Sequence, residues 1–190
     1  RPLDHALIPN LKNLHPSARA AFDPENAVSA PYLVGTSGIL YRRDVVGEIK
    51  SWAELFATKD ERLKGKVALL DDASVVVTAA LKAVGASANS DDPAELRRAN
   101  RLLQAFKNAG FVGQLTSDVE FVTHALHEGR FLAYVCYSGD GISAEQADPA
   151  NLRFIVPSEG SVWYVDTMVI PQAAPHAALA HRFVDFILRS

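Results

Sequence analysis

Short apolar segments alternate with helical segments from residue 64 onward. Residues 66–70 form an apolar run, and Asp71 and Asp72 follow it directly. Aspartate favours the start of a helix. Ser117-Asp-Val-Glu120 is a capping box, which opens a helix to about residue 127. Alternation of this kind predicts an α/β fold with a largely parallel, doubly wound sheet. In such sheets, ligands bind outside the carboxyl ends of the strands.

The other elements are predicted from spacing and from glycine and proline. Residues 4–20 hold at most one short helical piece. Residues 31–41 are extended, and Gly35 and Gly38 indicate a bend, a bulge or close approach of the backbone to another group. A last helix is predicted at residues 174–189. We expect its side chains Ala178, Phe183, Phe186 and Ile187 to face the core. The remaining predicted elements are a helix at 73–84, a helix from Asp92 to Gly110, strands at 111–115 and 131–137, a turn at 137–140, a helix at 142–147, and strands at 152–156 and 162–170.

Composition limits the classes of function. The 190 residues carry 19 basic and 22 acidic side chains, a net charge of −3, so a nucleic acid partner is not expected. No apolar run reaches the roughly 18 residues of a membrane span, and no signal sequence is visible, although one could have been removed. The single cysteine, Cys136, lies in an apolar run and is expected to be a buried hydrophobe rather than a nucleophile.

One apolar segment carries a carboxylate at its centre. Ser161-Val-Trp-Tyr-Val-Asp-Thr-Met-Val-Ile-Pro171 predicts a buried strand. An unpaired charge there would cost several kcal/mol, so either Asp166 reaches solvent or a cation pairs with it. Trp163 and Tyr164 would offer such a cation an aromatic face, which suits an organic ammonium. The structural alternative is a carboxylate that ends in a turn or holds a backbone amide.

Carboxylates also follow two other predicted strands. Asp71 and Asp72 lie at the end of the strand at 66–70, and one of them is expected to cap the next helix. Asp140 lies just beyond the strand at 131–137, before a predicted helix start.

A series of motifs resembles one known family along nearly the whole chain. In chain order they are Phe22-Asp-Pro-x-Asn26, Pro31-Tyr-x-x-Gly-Thr36, Gly38-Ile39, Ser51-Trp-Ala-Glu-Leu55, Lys64-Gly65, Leu70-Asp-Asp-Ala73, Tyr137-Ser-Gly-Asp140, Pro157-x-Glu-Gly160 and Phe183-Val-Asp-Phe-Ile-Leu-Arg189. Together they resemble the spermidine/putrescine-binding proteins of bacterial ABC importers. No single motif is specific, but their order is.

The resemblance implies a two-lobed periplasmic-binding-protein fold of type II that closes on its ligand. Residues 40–165 would form the whole second lobe, and residues 1–39 and 166–190 part of the first. The hinge would be crossed near residues 39–41 and again near residues 164–167. The family chain is considerably longer, so by resemblance an amino-terminal unit and carboxyl-terminal helices of the first lobe are missing here.

The resemblance also assigns ligand-binding positions. In the family, aromatic side chains flank the ligand and carboxylates hold its ammonium ends. The corresponding residues are Asp72, Tyr137, Asp140, Tyr164 and Asp166, with Trp163 adjacent and able to face either side. Two tyrosines, at 137 and 164, stand where the family usually has tryptophan, and Val75 stands where spermidine binders often carry glutamate. These departures suggest a shorter or less charged ligand, or a changed specificity.

The function implied is capture of a small cationic solute, a putrescine- or spermidine-like polyamine, for the membrane permease of an ABC importer. The expected location is periplasmic, or extracellular and membrane-associated. No cofactor or metal is expected, and a homodimer that completes the cleft is possible. Alternatives are the same scaffold binding thiamine, an aminophosphonate or ferric iron, or a decayed module that serves protein interaction.

An acid–base enzyme is the alternative from another class. Asp72 and Asp166 could in principle act as general acid and base, but no nucleophile–base pair, metal spacing or phosphate loop accompanies them. His124 and His127 are three residues apart on one predicted helix, and we expect them to form a solvated face rather than a metal site.

Overall fold

The computed structural model describes residues 1–19 and 22–189. Residues 20, 21 and 190, which fall within the predicted amino-terminal segment and first lobe, lie outside the described residues. The chain divides into two compact units. The smaller unit comprises Arg1–Gly35 and Trp163–Ser190, and the larger unit comprises Thr36–Val162.

Eight α-helices and six strands span the part of the chain that the structure describes. The helices are α1 Pro16–Arg19, α2 Arg43–Val46, α3 Trp52–Phe56, α4 Ala73–Ala83, α5 Pro93–Asn108, α6 Val119–His127, α7 Ser138–Ala147 and α8 Ala177–Ile187. The strands are β1 Ser29–Arg42, β2 Val67–Leu70, β3 Val112–Thr116, β4 Ala133–Tyr137, β5 Leu152–Ile155 and β6 Trp163–Val169. Short 3₁₀ helices cover His5–Leu7, Pro9–Asn13 and Glu61–Leu63.

The sheet of the larger unit has the strand order β3-β2-β4-β1-β5, and β6 pairs with β1 outside this path. β2 runs parallel to both β3 and β4, whereas β1 runs antiparallel to β4 and β5. The predicted α/β class is confirmed. The antiparallel pairs come from β1, which lies between β4 and β5 although it precedes both in sequence.

Aspartates start three helices of the larger unit. At α6 this corrects the predicted capping box, because the N-cap is Asp118 rather than Ser117. Asp72, Asp92 and Asp118 cap α4, α5 and α6, and each carboxylate accepts hydrogen bonds from amides of the first turn. The apolar faces of these helices cover a sheet whose central strands β2 and β4 are buried almost throughout. This arrangement leaves the carboxyl ends of β2 and β4 beside the helix starts, where the chain carries its polar side chains.

The smaller unit has its own apolar core. It is formed by Leu3, Ile8, Leu11, Ala30, Ile170, Val184 and Leu188. The burial of α8 differs from the sequence prediction: Phe183 and Phe186 are more than half exposed, and Ile187 and Ala178 are also exposed. The buried face instead carries His181 and Val184. The amino-terminal 3₁₀ helices contact α8 and determine that this face is the buried one.

Two further predictions are wrong. The segment around Asp166 is a strand, but it is not buried: Trp163, Asp166 and Val169 are exposed, and the other four residues are half-buried. Residues 137–140 do not form a separate turn, because α7 begins at Ser138 and Tyr137 is its N-cap. Asp140 therefore lies within the first helical turn. Among the described residues, no helix combines the length and the apolar character that crossing a membrane requires.

Candidate functional site

Asp72 caps the helix that follows β2. Its extended backbone, with φ −140° and ψ 106°, turns the carboxylate back over the start of α4. Oδ1 accepts hydrogen bonds from the amides of Ser74 at 2.8 Å and Val75 at 3.4 Å. The prediction that one of the two adjacent aspartates is a cap is confirmed, and the neighbouring Asp71 is exposed.

Tyr137 reaches the same carboxylate from the next strand. In the parallel pair of β2 and β4, Leu69 lies opposite Val135, so the residues just beyond them emerge at the same edge of the sheet. The Tyr137 hydroxyl donates a hydrogen bond to Asp72 Oδ2 at 2.7 Å. This bond is the largest cause of the lowered pKa of Asp72, and the hydrogen bonds from the amides of Ser74 and Val75 lower the pKa further. Burial acts in the opposite direction and raises it. Asp72 is therefore a fixed, ionised carboxylate at neutral pH.

Asp140 lies in the first turn of α7, the helix that follows β4. Burial raises the pKa of its carboxyl group above the ordinary value. It lines a groove of about 430 Å³ between α6 and α7, together with Glu120 and His124. The described contacts thus bring Asp72 and Tyr137 together, and they place Asp140 on α7 beside α6.

The other three predicted residues lie on β6, in the smaller unit. Successive side chains of a strand point to opposite faces, so Tyr164 and Asp166 share the face of Met168, which packs against the smaller core. Trp163 lies on the other face and is 50% exposed. Asp166 is the central residue of β6 and is exposed. The carboxylate of Asp166 thus reaches solvent, and its role toward a cation stays a prediction.

Both glycines of β1 are closely approached by other groups, which confirms one of the roles predicted for them. A Cβ added to Gly35 would overlap the Tyr164 ring, and one added to Gly38 would overlap the Phe154 ring and the Ile155 carbonyl. Gly35 therefore sets the space in which the phenol of Tyr164 lies.

A group of hydroxyls beside these glycines was not foreseen from the sequence. The Thr36 amide donates to Ser138 Oγ at 3.2 Å, and Thr36 Oγ1 donates to the Val162 carbonyl at 2.5 Å. Ser37 and Ser161 are joined through their hydroxyls at 2.8 Å. The signal available was the Thr-Ser pair between Gly35 and Gly38, two hydroxyl residues in an otherwise apolar strand.

The residues considered for metal or thiol chemistry have other surroundings. No group of three or more His, Cys, Asp or Glu side chains in residues 1–19 and 22–189 is arranged to hold a metal ion. His124 lies 3.0 Å from Glu128 and His127 lies 3.2 Å from Asp148, all on the surface of the larger unit. Cys136 is fully buried, as expected, and burial raises the pKa of its thiol.

Comparison with known proteins gives a consistent result. The model of the family described as bacterial extracellular solute-binding protein matches residues 1–190. The spermidine/putrescine-binding periplasmic protein 1 of Haemophilus influenzae is 31% identical over 99% of this chain and 51% of its own length. The putrescine/cadaverine-binding protein of Pseudomonas aeruginosa is 30% identical over 88% of this chain and 49% of its own.

Solved structures agree with the sequence matches. The TpPotD lipoprotein of Treponema pallidum superimposes with a TM-score of 0.86 at 28% identity, covering 98% of this chain and 58% of that one. A spermidine/putrescine ABC transporter substrate-binding protein of Streptococcus pneumoniae gives 0.82 at 29% identity, covering 100% and 57%. The chain thus spans about half the length of the curated relatives it matches.

Proposed function

The chain belongs to the bacterial extracellular solute-binding proteins, and we propose that it binds a small organic cation, a putrescine-like amine, for delivery to the permease of an ABC importer. The family is one of binding proteins rather than enzymes. The relatives named for spermidine, putrescine and cadaverine support an amine as the ligand. The name of the Haemophilus influenzae relative, a periplasmic protein, supports a periplasmic site of action.

The observation that carries the proposal is the pair formed by Asp72 and Tyr137. The carboxylate is kept ionised by its hydrogen bonds, and an aromatic ring lies beside it. An ammonium held by a carboxylate near a protein surface gains about 4 kcal/mol of gross Coulomb energy at an effective dielectric constant of about 20, much of which desolvation removes. A ring face adds about 0.5–2 kcal/mol. Both contributions favour an organic cation over a neutral solute.

The pair also favours a short ligand. Asp72 Oδ1 already accepts two amides and Oδ2 already accepts the Tyr137 hydroxyl, so the carboxylate has limited capacity for further donors. Val75, where spermidine binders often carry glutamate, adds no charge and is buried. We therefore propose a diamine rather than a longer polyamine as the preferred ligand.

Three parts of the resemblance stay predictions and form part of this proposal. Tyr164 and Asp166 of β6 are proposed to contribute to amine binding, with Trp163 as an accessory aromatic residue. Asp140 is proposed as a further carboxylate for the ligand. The lobe assignment, with hinge crossings near residues 39–41 and 164–167, is proposed together with them.

The test is calorimetric titration with putrescine and spermidine, beside thiamine, 2-aminoethylphosphonate and ferric iron. We expect binding of amines only, with putrescine preferred. Asp72→Asn keeps a good helix cap but removes the charge, and it should weaken amine binding by about tenfold to a hundredfold. Asp166→Asn should also weaken it, whereas Asp71→Asn, the matched exposed control, should change it by no more than about threefold.

Each result bears on one part of the proposal. An unchanged amine affinity in Asp72→Asn would remove the carboxylate–tyrosine pair from the site. An unchanged affinity in Asp166→Asn would exclude Asp166 of β6 from the site and would leave the pair of Asp72 and Tyr137 as part of it. Binding of thiamine, aminophosphonate or iron in place of amines would keep the family and replace the ligand class.

A further inference from the structure

A buried histidine joins α8 to the amino-terminal segment of the smaller unit. His181 is 4% exposed, and both of its ring nitrogens meet backbone groups. Nδ1 lies 2.7 Å from the carbonyl oxygen of Ala177, one turn earlier in α8. Nε2 lies 3.0 Å from the amide nitrogen of Asp4.

These partners determine the protonation state of the ring. A carbonyl oxygen can only accept, so Nδ1 carries a proton, and an amide N–H can only donate, so Nε2 carries none. His181 is therefore neutral, with its single proton on Nδ1. A second proton would turn Nε2 into a donor that faces the donor of Asp4. The bond between α8 and the amino-terminal segment would then be lost.

The bond holds a segment on which the smaller core depends. Asp4 is the N-cap of the 3₁₀ helix His5–Leu7, and its carboxylate accepts the amide of Ala6 at 3.0 Å. The residues on either side of Asp4 supply three of the seven buried residues of the smaller core, namely Leu3, Ile8 and Leu11. These three side chains pack with residues of α8, so release of Asp4 loosens apolar contacts as well as one hydrogen bond.

The charged groups around His181 do not offer a ready partner for an imidazolium. On the amino-terminal segment, the Asp4 carboxylate is engaged as a cap, and His5 and Lys12 are exposed. On α8, Arg182 is exposed, and Asp185 accepts the amide of Asn10 at 2.9 Å. On β6, the carboxylate is that of Asp166, which is also exposed. If Asp4 or Asp185 turned to the charged ring, a bond that holds the amino-terminal segment would be given up.

We propose that His181 is an acid-sensitive latch, which holds residues 1–14 against α8 while it is neutral and releases them when it is protonated. The direction follows from linkage. The latched geometry leaves Nε2 no acceptor for a second proton, whereas the released ring can take one up, so the latch weakens as pH falls.

The experiment is amide hydrogen exchange between pH 7.5 and 5.5, expressed as protection factors so that the intrinsic effect of pH on exchange is divided out. In the native chain, the protection of the amides of residues 4–14 should fall severalfold as pH is lowered over this range. The amides of β2, in the larger unit, serve as an internal reference and should not follow.

His181→Gln is the decisive variant, because the Gln oxygen can accept the Asp4 amide and does not titrate. Its protection at residues 4–14 should be independent of pH, while the matched control His176→Gln, an exposed histidine of the same helix end, should behave as the native chain. If the protection of residues 4–14 in His181→Gln fell with pH as much as in the native chain, the latch would be overturned. Nitrogen NMR of the native imidazole provides a test that needs no variant: a ring that stays neutral, with residues 4–14 protected, at pH 5.5 would also overturn it.

Discussion

The hydroxyl of Tyr137 donates a hydrogen bond of 2.7 Å to Oδ2 of Asp72, across 65 residues of sequence. The other oxygen of the same carboxylate caps α4. One side chain therefore joins two tasks: it starts a helix of the larger unit, and it presents a negative charge at the carboxyl end of β2. The tyrosine at the end of β4 links the two strands at the point that we propose for ligand binding.

Tyr137→Phe should make the larger unit less stable at neutral pH. The hydroxyl lowers the pKa of Asp72 in the folded state. A lowered folded-state pKa stabilises the protein above the pKa of the unfolded chain, about 3.9, and this stabilisation is lost as pH falls through the folded-state pKa. The difference between the native chain and the variant should therefore be present at pH 7 and decrease as pH falls below about 3.9. Urea unfolding at several pH values measures it. A difference that persists unchanged at low pH would mean that the ring lost packing rather than the hydrogen bond.

Asp140→Asn should have the opposite effect on stability. Burial raises the pKa of Asp140, so its ionised form destabilises the folded state at neutral pH, and this penalty vanishes once pH is below the unfolded value of about 3.9. The variant should raise the urea midpoint at pH 7 and leave it unchanged at pH 3. It should also weaken amine binding if Asp140 serves the ligand as proposed. A lower midpoint at pH 7 would contradict the burial argument.

Gly35→Ala should destabilise the smaller unit through Tyr164. The added Cβ overlaps the phenol ring, and overpacking of this kind costs about 1–3 kcal/mol. Gly139→Ala, where a Cβ has open space within α7, is the control and should be neutral or stabilising by up to about 1 kcal/mol. Combining Gly35→Ala with Tyr164→Ala should remove most of the destabilisation that Gly35→Ala causes alone. Thermal unfolding of the native chain, the two single variants and the double variant measures this. Full additivity of the two changes would show that the ring is not the obstacle.

Several features followed from the sequence because their causes are local. The aspartate cap of α4 and the proline at the start of α5 depend on residues within one helical turn of each other. The burial of Cys136 followed from an apolar run of strand length. The class of fold followed from the order of such segments.

Other features needed the folded chain. The stripe of α8 that carries Phe183 and Phe186 has the spacing of a core face, yet these rings are exposed and His181 is buried, because the amino-terminal segment packs on the other side. The strand around Asp166 has the composition of a buried strand and is half exposed, since burial depends on what covers a strand and not on its own residues.

The sequence by itself determined the order of most helices and strands, the caps of α4 and α5, and the family to whose motifs they belong. The tertiary structure decided which side chains meet: Tyr137 with Asp72, Gly35 with Tyr164, and Asp4 with His181, the last pair 177 residues apart. Propensity and capping act within a few residues, whereas these contacts depend on strand order and on which face of a helix is covered, and both are set by the packing of the whole chain.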